Sequence, residues 1–138
     1  MRFLPFAAAL SIIPIVLGNN FDVVVGFNGM LAYNPTEVHA NTGDTVTFKF
    51  AAGNHTATTT TFTNPCPPPP GGVGPNGFDT GFHMSPDTVT IKITDTNPRF
   101  VSCRQAAGAH CRTGMTMVIN PTADLSEAQF RQNAINDQ

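Results

Sequence analysis

Three side chains in the C-terminal third of the chain can bind a soft metal ion. Within FVSCRQAAGAHCRTGM, Cys103 offers a thiolate, His110 an imidazole and Met115 a thioether. Sulfur donors of this kind favour copper over hard cations such as calcium or magnesium. The six residues after Cys103 can form a loop that brings His110 back towards it, and Met115 follows at the start of the next strand-like run. The spacing therefore predicts a single site at which the three side chains meet.

A copper site of this type needs a second histidine. Two His, one Cys and a weak axial Met form the trigonal centre of blue-copper electron-transfer sites. His55 is the leading candidate, because Gly53 and Asn54 break the preceding strand pattern and can turn the imidazole inwards. His39, inside a predicted strand, and His83, in a predicted loop, are the alternatives.

The N-terminus has the pattern of a secretory signal peptide. A single Arg precedes an apolar run that ends at residue 17, and Gly18 suits a cleavage site. The run is too short and too poorly flanked to span a membrane. We expect three parts in the chain: a signal peptide at residues 1–18, one domain at residues 19–121, and a tail or short helix at residues 122–138.

Charge and cysteine content narrow the classes of partner and compartment. The whole chain has a formal charge of −2, and removal of Arg2 with the signal peptide leaves six basic against nine acidic residues. That balance does not favour nucleic acid or a membrane surface as a partner. We expect a secreted or cell-wall-associated monomer without stable membrane insertion. Three cysteines are an odd number for such a protein, so one needs a role as an intermolecular bridge, a reactive thiol or a metal ligand.

Short alternating runs predict an all-β fold. In TVTFKF (residues 45–50), Val46, Phe48 and Phe50 share one face, and DTVTIKIT (residues 87–94) repeats the alternation. The runs FDVVVGF, RFVSC and MTMVIN add further strands separated by turn residues. We expect a Greek-key β-sandwich of about seven to eight strands.

Two segments depart from this strand pattern. Residues 64–82, NPCPPPPGGVGPNGFDTGF, are too rich in Pro and Gly for a central strand and predict a long surface loop. Near the C-terminus, ADLSEAQFRQ predicts one short helix, with Asp124 and Glu127 spaced as a capping box.

The sequence resembles the cupredoxins, and within them the plant phytocyanins and the small secreted cupredoxin-like proteins of fungi. The motifs that carry the resemblance are GDTVTF (43–48), GNH (53–55), GFDTGF (77–82) and the stretch from FVSC through HCRTGM (100–115). Together they lie between residues 43 and 115. The HCxxGM element is the most specific, because it joins a ligand His, a disulfide Cys and an axial Met at fixed spacing.

This resemblance implies a cupredoxin-like sandwich that binds one copper ion, cycling between Cu(II) and Cu(I). Carried over by position, the family's copper ligands fall on His55, Cys103, His110 and Met115. The phytocyanin-type disulfide falls on Cys66 and Cys111. It would anchor the loop that carries the second ligand His and leave the remaining cysteine as the free thiol.

The resemblance implies one-electron transfer with an unidentified redox partner, which can be a protein or a small molecule. The alternatives are extracellular copper scavenging or delivery, and a non-redox interaction module at the cell surface. A structural zinc site of Cys66, Cys103, His110 and Cys111 is a poorer fit, since the chain lacks Cys-x-x-Cys spacing. We do not expect an enzyme, because no Ser/His/Asp set, paired carboxylates or His-x-His motif stands out.

Two further features lie beside the predicted site. A glycosylation sequon begins at Asn54, and we expect it to remain unmodified because a glycan would crowd His55. Arg104 and Arg112 form either a basic rim for an acidic partner or ordinary solvated loop charges, and the second reading is favoured.

Overall fold

The computed structural model describes residues 2–9 and 18–138 of the chain. Met1 and residues 10–17, which make up half of the predicted signal peptide, lie outside the described residues. Within the described part, eight strands form two four-stranded sheets. The strands are β1 (Asn20–Val25), β2 (Tyr33–Asn34), β3 (Glu37–Val38), β4 (Thr45–Phe50), β5 (Thr58–Thr60), β6 (Thr88–Lys92), β7 (Arg99–Ser102) and β8 (Thr116–Ile119). The helices are α1 (Ala109–Arg112) and α2 (Glu127–Asn136), with 3-10 turns at Phe27–Gly29 and Gln105–Gly108.

The two sheets have mixed strand directions. In the first sheet the order is β2-β1-β4-β6, with β1 parallel to β4 and the other pairs antiparallel. In the second the order is β3-β8-β7-β5, with β3 parallel to β8 and the other pairs antiparallel. The prediction of a two-sheet β-sandwich with seven to eight strands is confirmed.

The core lies between the sheets and follows the alternation read from the sequence. Phe48 is fully buried and Phe50 is 3% exposed, while the intervening Lys49 is exposed. Their partners across the parallel β1–β4 pair are Val23 and Val25, which are also fully buried. Opposite residues of neighbouring strands point to the same face, so one apolar row on each strand closes this side of the core.

The second sheet is covered on both faces, which explains why all four residues of β8 are buried. One face contacts the core, and α2 packs over the other through Phe130, which is fully buried. The ring centroids of Phe130 and Phe100 are 5.3 Å apart, and Phe62 joins the same aromatic cluster at 5.1 Å from Phe100. The C-terminal helix is therefore an integral layer of the fold.

The start of α2 differs from the predicted capping box. Ser126, and not Asp124, is the N-cap, and its hydroxyl oxygen accepts a hydrogen bond from the Gln129 backbone N–H at 3.2 Å. Ser-x-x-Gln satisfies the free backbone donors at the start of the helix, as the predicted capping box would have done two residues earlier.

Neither α2 nor any other helix within residues 2–9 and 18–138 has the length and apolar character needed to span a bilayer.

The long Pro/Gly-rich loop runs along the edge strand β5, as a surface segment. The Thr59 N–H donates to the Phe78 carbonyl at 2.9 Å, and the Phe78 N–H donates to the Thr59 hydroxyl at 3.0 Å. The loop thereby covers backbone groups that an edge strand would otherwise leave open. This packing places residues 77–83 beside the end of the sandwich where the candidate site lies.

Candidate metal centre

Strand pairing in the second sheet brings three of the predicted ligands to one end of the sandwich. Cys103 directly follows β7 and Met115 directly precedes β8, and the last residue of β7, Ser102, pairs with the first of β8, Thr116. Ser102 also pairs with the first residue of β5, which places the preceding His55 at the same end. Antiparallel register alone therefore gathers residues that are 60 positions apart in the chain.

The fourth predicted ligand, His110, lies on the one-turn helix α1. A 3-10 turn at Gln105–Gly108 precedes α1, and Gly108 links the two with a left-handed backbone conformation, φ 90°. A Cβ at Gly108 would lie 2.9 Å from the side chain of Pro67 in the long loop. Only glycine combines that conformation with so close an approach, so this position fixes how α1 docks.

The donor atoms of Cys103, His55 and His110 form a compact triangle. Cys103 Sγ lies 3.8 Å from each imidazole Nδ1, and the two Nδ1 atoms lie 3.2 Å apart. A point equidistant from the three atoms lies about 2.1 Å from each, close to the metal–nitrogen and metal–sulfur bond lengths of about 2.0–2.3 Å in zinc proteins. In the part of the chain that the structure describes, this is the one group of three His, Cys, Asp or Glu side chains arranged to hold a metal ion. The residues present fit a first-row transition metal.

Met115, the predicted axial ligand, lies in the core directly before β8. Its side chain is fully buried and belongs to the same apolar cluster as Cys103. Its backbone N–H donates to the His110 carbonyl at 3.3 Å, and its own carbonyl accepts from the Ser102 hydroxyl at 2.7 Å. These contacts tie the start of β8 both to α1 and to the end of β7.

Burial keeps both candidate imidazoles in the form that binds metal. Desolvation lowers the pKa of His55, the proximity of His110 lowers it further, and a hydrogen bond with the Ala52 backbone opposes the shift in part. Desolvation also lowers the pKa of His110. A neutral imidazole has a free lone pair, so both rings are ready to bind metal at neutral pH.

Cys103 is fully buried, and two backbone N–H groups point at its sulfur. Those of Thr56 and Gln105 each lie 3.4 Å from Sγ. Burial raises the pKa of the thiol, while these hydrogen bonds and the nearby Arg104 charge act in the opposite direction. A bound cation would remove the proton outright, and the two N–H donors would then stabilise the thiolate.

The position of the His55 ring depends on its neighbours in the chain and on one strand contact. Gly53 has φ 76°, and a Cβ there would lie 2.6 Å from the His55 Nε2 atom. His55 also forms an isolated antiparallel bridge with His83, in which each backbone N–H donates to the other's carbonyl at 3.0–3.1 Å. The His55 imidazole lies inwards, next to Gly53, and is 3% exposed.

The predicted disulfide between Cys66 and Cys111 is confirmed, with a Cα–Cα distance of 5.6 Å. It joins the start of the long loop to α1, one residue after His110, and packs against Ala134 of α2. Asp137 adds a second tie, because its carboxylate accepts from the Cys66 N–H at 2.8 Å. Since both sulfurs are consumed in this bond, the alternative zinc site that used them as thiolates is wrong.

The two alternative histidines lie outside the donor triangle. His39 is exposed at the end of β3, with its Nε2 atom 3.9 Å from the Glu37 carboxylate. The ring of His83 is held by Asp87 at 2.9 Å and by the Thr80 carbonyl at 2.8 Å. The structure therefore brings His55 to Cys103 and leaves the other two engaged elsewhere.

Asp79 is an ordering residue that the sequence reasoning missed. Its carboxylate accepts from the backbone N–H groups of Gly71 and Gly81, both at 2.9 Å, and from the Thr58 hydroxyl at 2.9 Å. It also pairs with the Arg104 guanidinium at 2.9 Å. Burial disfavours the charged form, but these donors outweigh it and hold the pKa of Asp79 below its ordinary value. The signal available in the sequence was its place in GFDTGF, a motif of the resemblance.

The two arginines beside the site are held by internal contacts. Arg104 pairs with Asp79, and its guanidinium lies 4.8 Å from the ring centroid of Phe82. Arg112 donates to the carbonyls of Asp137 and Ala107 at 3.1 Å each. These contacts fit neither a free basic rim nor simple solvated loop charges.

Sequence comparison finds relatives among extracellular proteins. The chain is 34% identical over 100 residues to the probable GPI-anchored cupredoxin-1 of Arthroderma benhamiae, across 72% of this chain and 50% of that protein. It is 30% identical over 129 residues to an extracellular serine-rich protein of the same organism, across 92% of this chain and 49% of that protein. The chain spans about half the length of the curated relatives it matches. No family model matches the sequence.

Structural comparison supports the same relationship at the level of the fold. The pseudoazurin of Hyphomicrobium denitrificans matches with a TM-score of 0.55 at 16% identity, across 86% of this chain and 94% of that one. The two four-stranded sheets agree with this likeness. The sequence relatives and the architecture together show that the chain belongs to the cupredoxin family.

Proposed function

We propose that this chain is a type 1 copper protein that carries single electrons outside the cell. The observation that carries the proposal is the triangle of Cys103 Sγ with the Nδ1 atoms of His55 and His110, at 3.8, 3.8 and 3.2 Å. Two imidazoles and one thiolate are the equatorial donor set of blue-copper centres. A bound copper ion supplies one-electron chemistry by alternating between Cu(II) and Cu(I).

The four candidate ligands have distinct roles in this proposal. Cys103, His55 and His110 would hold the copper ion through one thiolate and two imidazoles, and the buried Met115 would offer its thioether. The protein frame holds these residues in place, because Cys103 and Met115 adjoin paired strands and a disulfide holds α1 next to His110. Donors held in this way keep their positions in either oxidation state, which limits the rearrangement that accompanies each electron transfer.

His110 is the proposed point of electron exchange with a partner. The side chains of His55, Cys103 and Met115 are buried, whereas His110 is half-buried. The adjacent Ala109 is exposed and small, so a partner surface can approach the ring closely. We propose either a protein or a small redox molecule as the partner.

Copper scavenging or delivery and a non-redox interaction module use the same fold, and no specific contact favours either of them. The single cluster of donors in residues 2–9 and 18–138 favours a carrier with one ion over a storage protein with several. We propose no catalytic role.

The proposed location and domain limits follow from the relatives and the sequence pattern. One relative is named as extracellular and the other as GPI-anchored, which supports secretion or attachment at the cell surface. We retain residues 1–18 as the proposed signal peptide and residues 19–121 as the proposed domain. Residues 122–138 then form a helical extension that packs on it.

An absorption titration with Cu(II) tests this function directly. The purified protein should develop an intense visible thiolate-to-copper band at one equivalent of metal, and Cys103→Ala should abolish the band. His55→Gln should weaken or displace it, whereas the matched control His39→Gln, which changes an exposed histidine, should leave it intact. A colourless complex in the unmodified protein, or a band that persists in Cys103→Ala, would overturn the proposal. A reversible one-electron wave in voltammetry separates electron transfer from storage.

A further inference from the structure

We propose that Asp79 and Arg104 are positioning residues of the metal site, which act on the Cys103 sulfur through their opposite charges and through a ring of hydrogen bonds. The ring passes from Cys103 through Thr56 and Thr58 to Asp79 and Arg104, and the peptide bond between Cys103 and Arg104 closes it. This inference rests on the proposed function, since it assigns roles towards a copper-bound thiolate. Neither Asp79 nor Arg104 is one of the four candidate ligands.

The ring has a defined direction of donation. The Arg104 backbone N–H donates to the Thr56 hydroxyl oxygen at 3.0 Å, and the Thr58 hydroxyl donates to Asp79 at 2.9 Å. The two hydroxyl oxygens are 2.8 Å apart, and because the Thr58 hydrogen is directed at Asp79, Thr56 is the donor between them. Thr56 is thereby held from both sides while its own backbone N–H points at Cys103 Sγ at 3.4 Å. Hydrogen bonds that are linked in series polarise one another, so the loss of one bond weakens the others.

Asp79 is the member of the ring that cannot be replaced without loss. Each of its oxygens has two donors, namely Thr58 and Gly81 on one and Gly71 and Arg104 on the other. A carboxylate can accept from all four, whereas an amide would turn its NH₂ group towards two of them. The Asp79 carboxylate therefore links the Pro/Gly-rich loop, β5 and Arg104 to one another.

The ion pair is sheltered from solvent, so its charges act at short range with little screening. The side chains of Asp79 and Arg104 are 9% and 19% exposed, and the ring of Phe82 lies 4.8 Å from the guanidinium carbon. Arg104 Nε is buried and has no hydrogen-bond partner among the described residues. A sheltered ion pair with an incompletely paired guanidinium adds little net stability. Its placement next to Cys103 is better explained by an effect on the site.

The two charges of the pair should act on the site in opposite directions. Arg104 directly follows Cys103 in the chain, and its positive charge favours the state of the site that has gained an electron. Asp79 partly offsets that charge. Arg104→Met should therefore lower the reduction potential of the copper-loaded protein, and Asp79→Asn should raise it. The double variant should lie between the two single variants.

Shifts of the reduction potential in opposite directions in Arg104→Met and Asp79→Asn distinguish an effect on the site from a purely structural role of the ion pair. If the pair served only to hold the fold, both single variants would loosen the site and shift the potential in the same direction, which would overturn the proposal. Arg104→Lys keeps the charge and should retain most of the potential of the unmodified protein. Asp22→Asn is the matched control, because it neutralises an exposed carboxylate paired with Lys49 at 2.8 Å on the first sheet, and it should leave the potential unchanged.

A second measurement uses metal-free protein and keeps the two proposals separate. Amide hydrogen exchange at Thr56 and Gln105 should be about tenfold or more faster in Thr58→Val, which removes the hydroxyl that joins Thr56 to Asp79. This variant keeps the side-chain shape, so it also covers the case in which Asp79→Asn does not fold. Unchanged exchange at both amides would refute the ring. Absence of a thiolate band in the unmodified protein would instead refute copper binding, and the exchange result would stand independently of it.

Discussion

The Nδ1 atoms of His55 and His110 lie 3.2 Å apart, although 55 positions separate the two residues in the chain. The fold alone sets this approach: His55 is fixed by a bridge to His83, and His110 by α1 and the disulfide. Burial keeps both rings neutral, so their lone pairs are available without a prior loss of protons. The geometry of the site therefore depends on the strand bridge, α1 and the disulfide.

Gly53→Ala should weaken metal binding by about 10- to 100-fold, because the new methyl group would lie 2.6 Å from the His55 Nε2 atom and displace the ring. The left-handed conformation adds about 1–2 kcal/mol of instability. Gly43→Ala is the matched control: it has φ 94° and nothing within 4 Å of the added Cβ. Copper titration and urea unfolding of both variants check this. Equal metal affinities in the two variants would show that the Gly53 contact does not position His55.

Joint replacement of Cys66 and Cys111 by Ala should reduce the free energy of unfolding by about 4 kcal/mol. The bridge closes a loop with a sequence separation of 45 residues, and the chain-entropy model assigns about that stabilisation to such a loop. Metal affinity should fall as well, since α1 loses its tie to the long loop. Urea unfolding of the metal-free protein measures the first effect and copper titration the second. Unfolding that occurs at an unchanged urea midpoint would contradict the first expectation.

Phe130→Ala should cost about 3–5 kcal/mol of stability, because the ring is fully buried between α2 and the second sheet. Gln132→Ala changes an exposed position of the same helix and should have an effect within about 0.5 kcal/mol. Thermal and urea unfolding followed by circular dichroism give both values. Equally small losses of stability in the two variants would contradict the prediction and would mean that α2 is only loosely attached.

The ring of His83 should make stability depend on pH above about 6.5. The hydrogen bond with Asp87 raises the pKa of His83 above its ordinary value of 6.5, burial opposes the shift, and the Thr80 carbonyl and the Asp87 charge support it. In the protonated ring both nitrogens donate, to Asp87 and to Thr80. The resulting stabilisation is fully present below the unfolded-state pKa and is lost as the pH rises through the higher folded-state pKa.

The measurement for this prediction is the free energy of unfolding of metal-free protein at pH values from about 5 to 9. His83→Gln should remove the decline on the alkaline side of pH 6.5, whereas His39→Gln, at an exposed ring, should retain it. A decline that survives in His83→Gln would assign the pH dependence to another group.

Local sequence patterns predicted most of the strands, although not β5 (Thr58–Thr60), and most of the candidate site. Alternation in TVTFKF predicted which side chains enter the core, since side-chain direction in a strand has a period of two. The spacing in HCRTGM placed His110 and Met115, because a one-turn helix and the start of β8 leave little freedom between them. The prediction of Asp124 as the N-cap of α2 was wrong because Asp124 and Ser126 can both cap a helix, and the sequence alone does not rank them.

The sequence by itself determined the set of donor types, their match to copper and the class of fold. The sequence favoured His55 over His39 and His83, but only the tertiary structure brings it to Cys103, because β5 pairs with β7. The tertiary structure alone revealed Asp79, whose partners extend from Thr58 to Arg104. Contacts between such distant positions arise from sheet register and loop docking, which the folded chain sets cooperatively and no local pattern encodes.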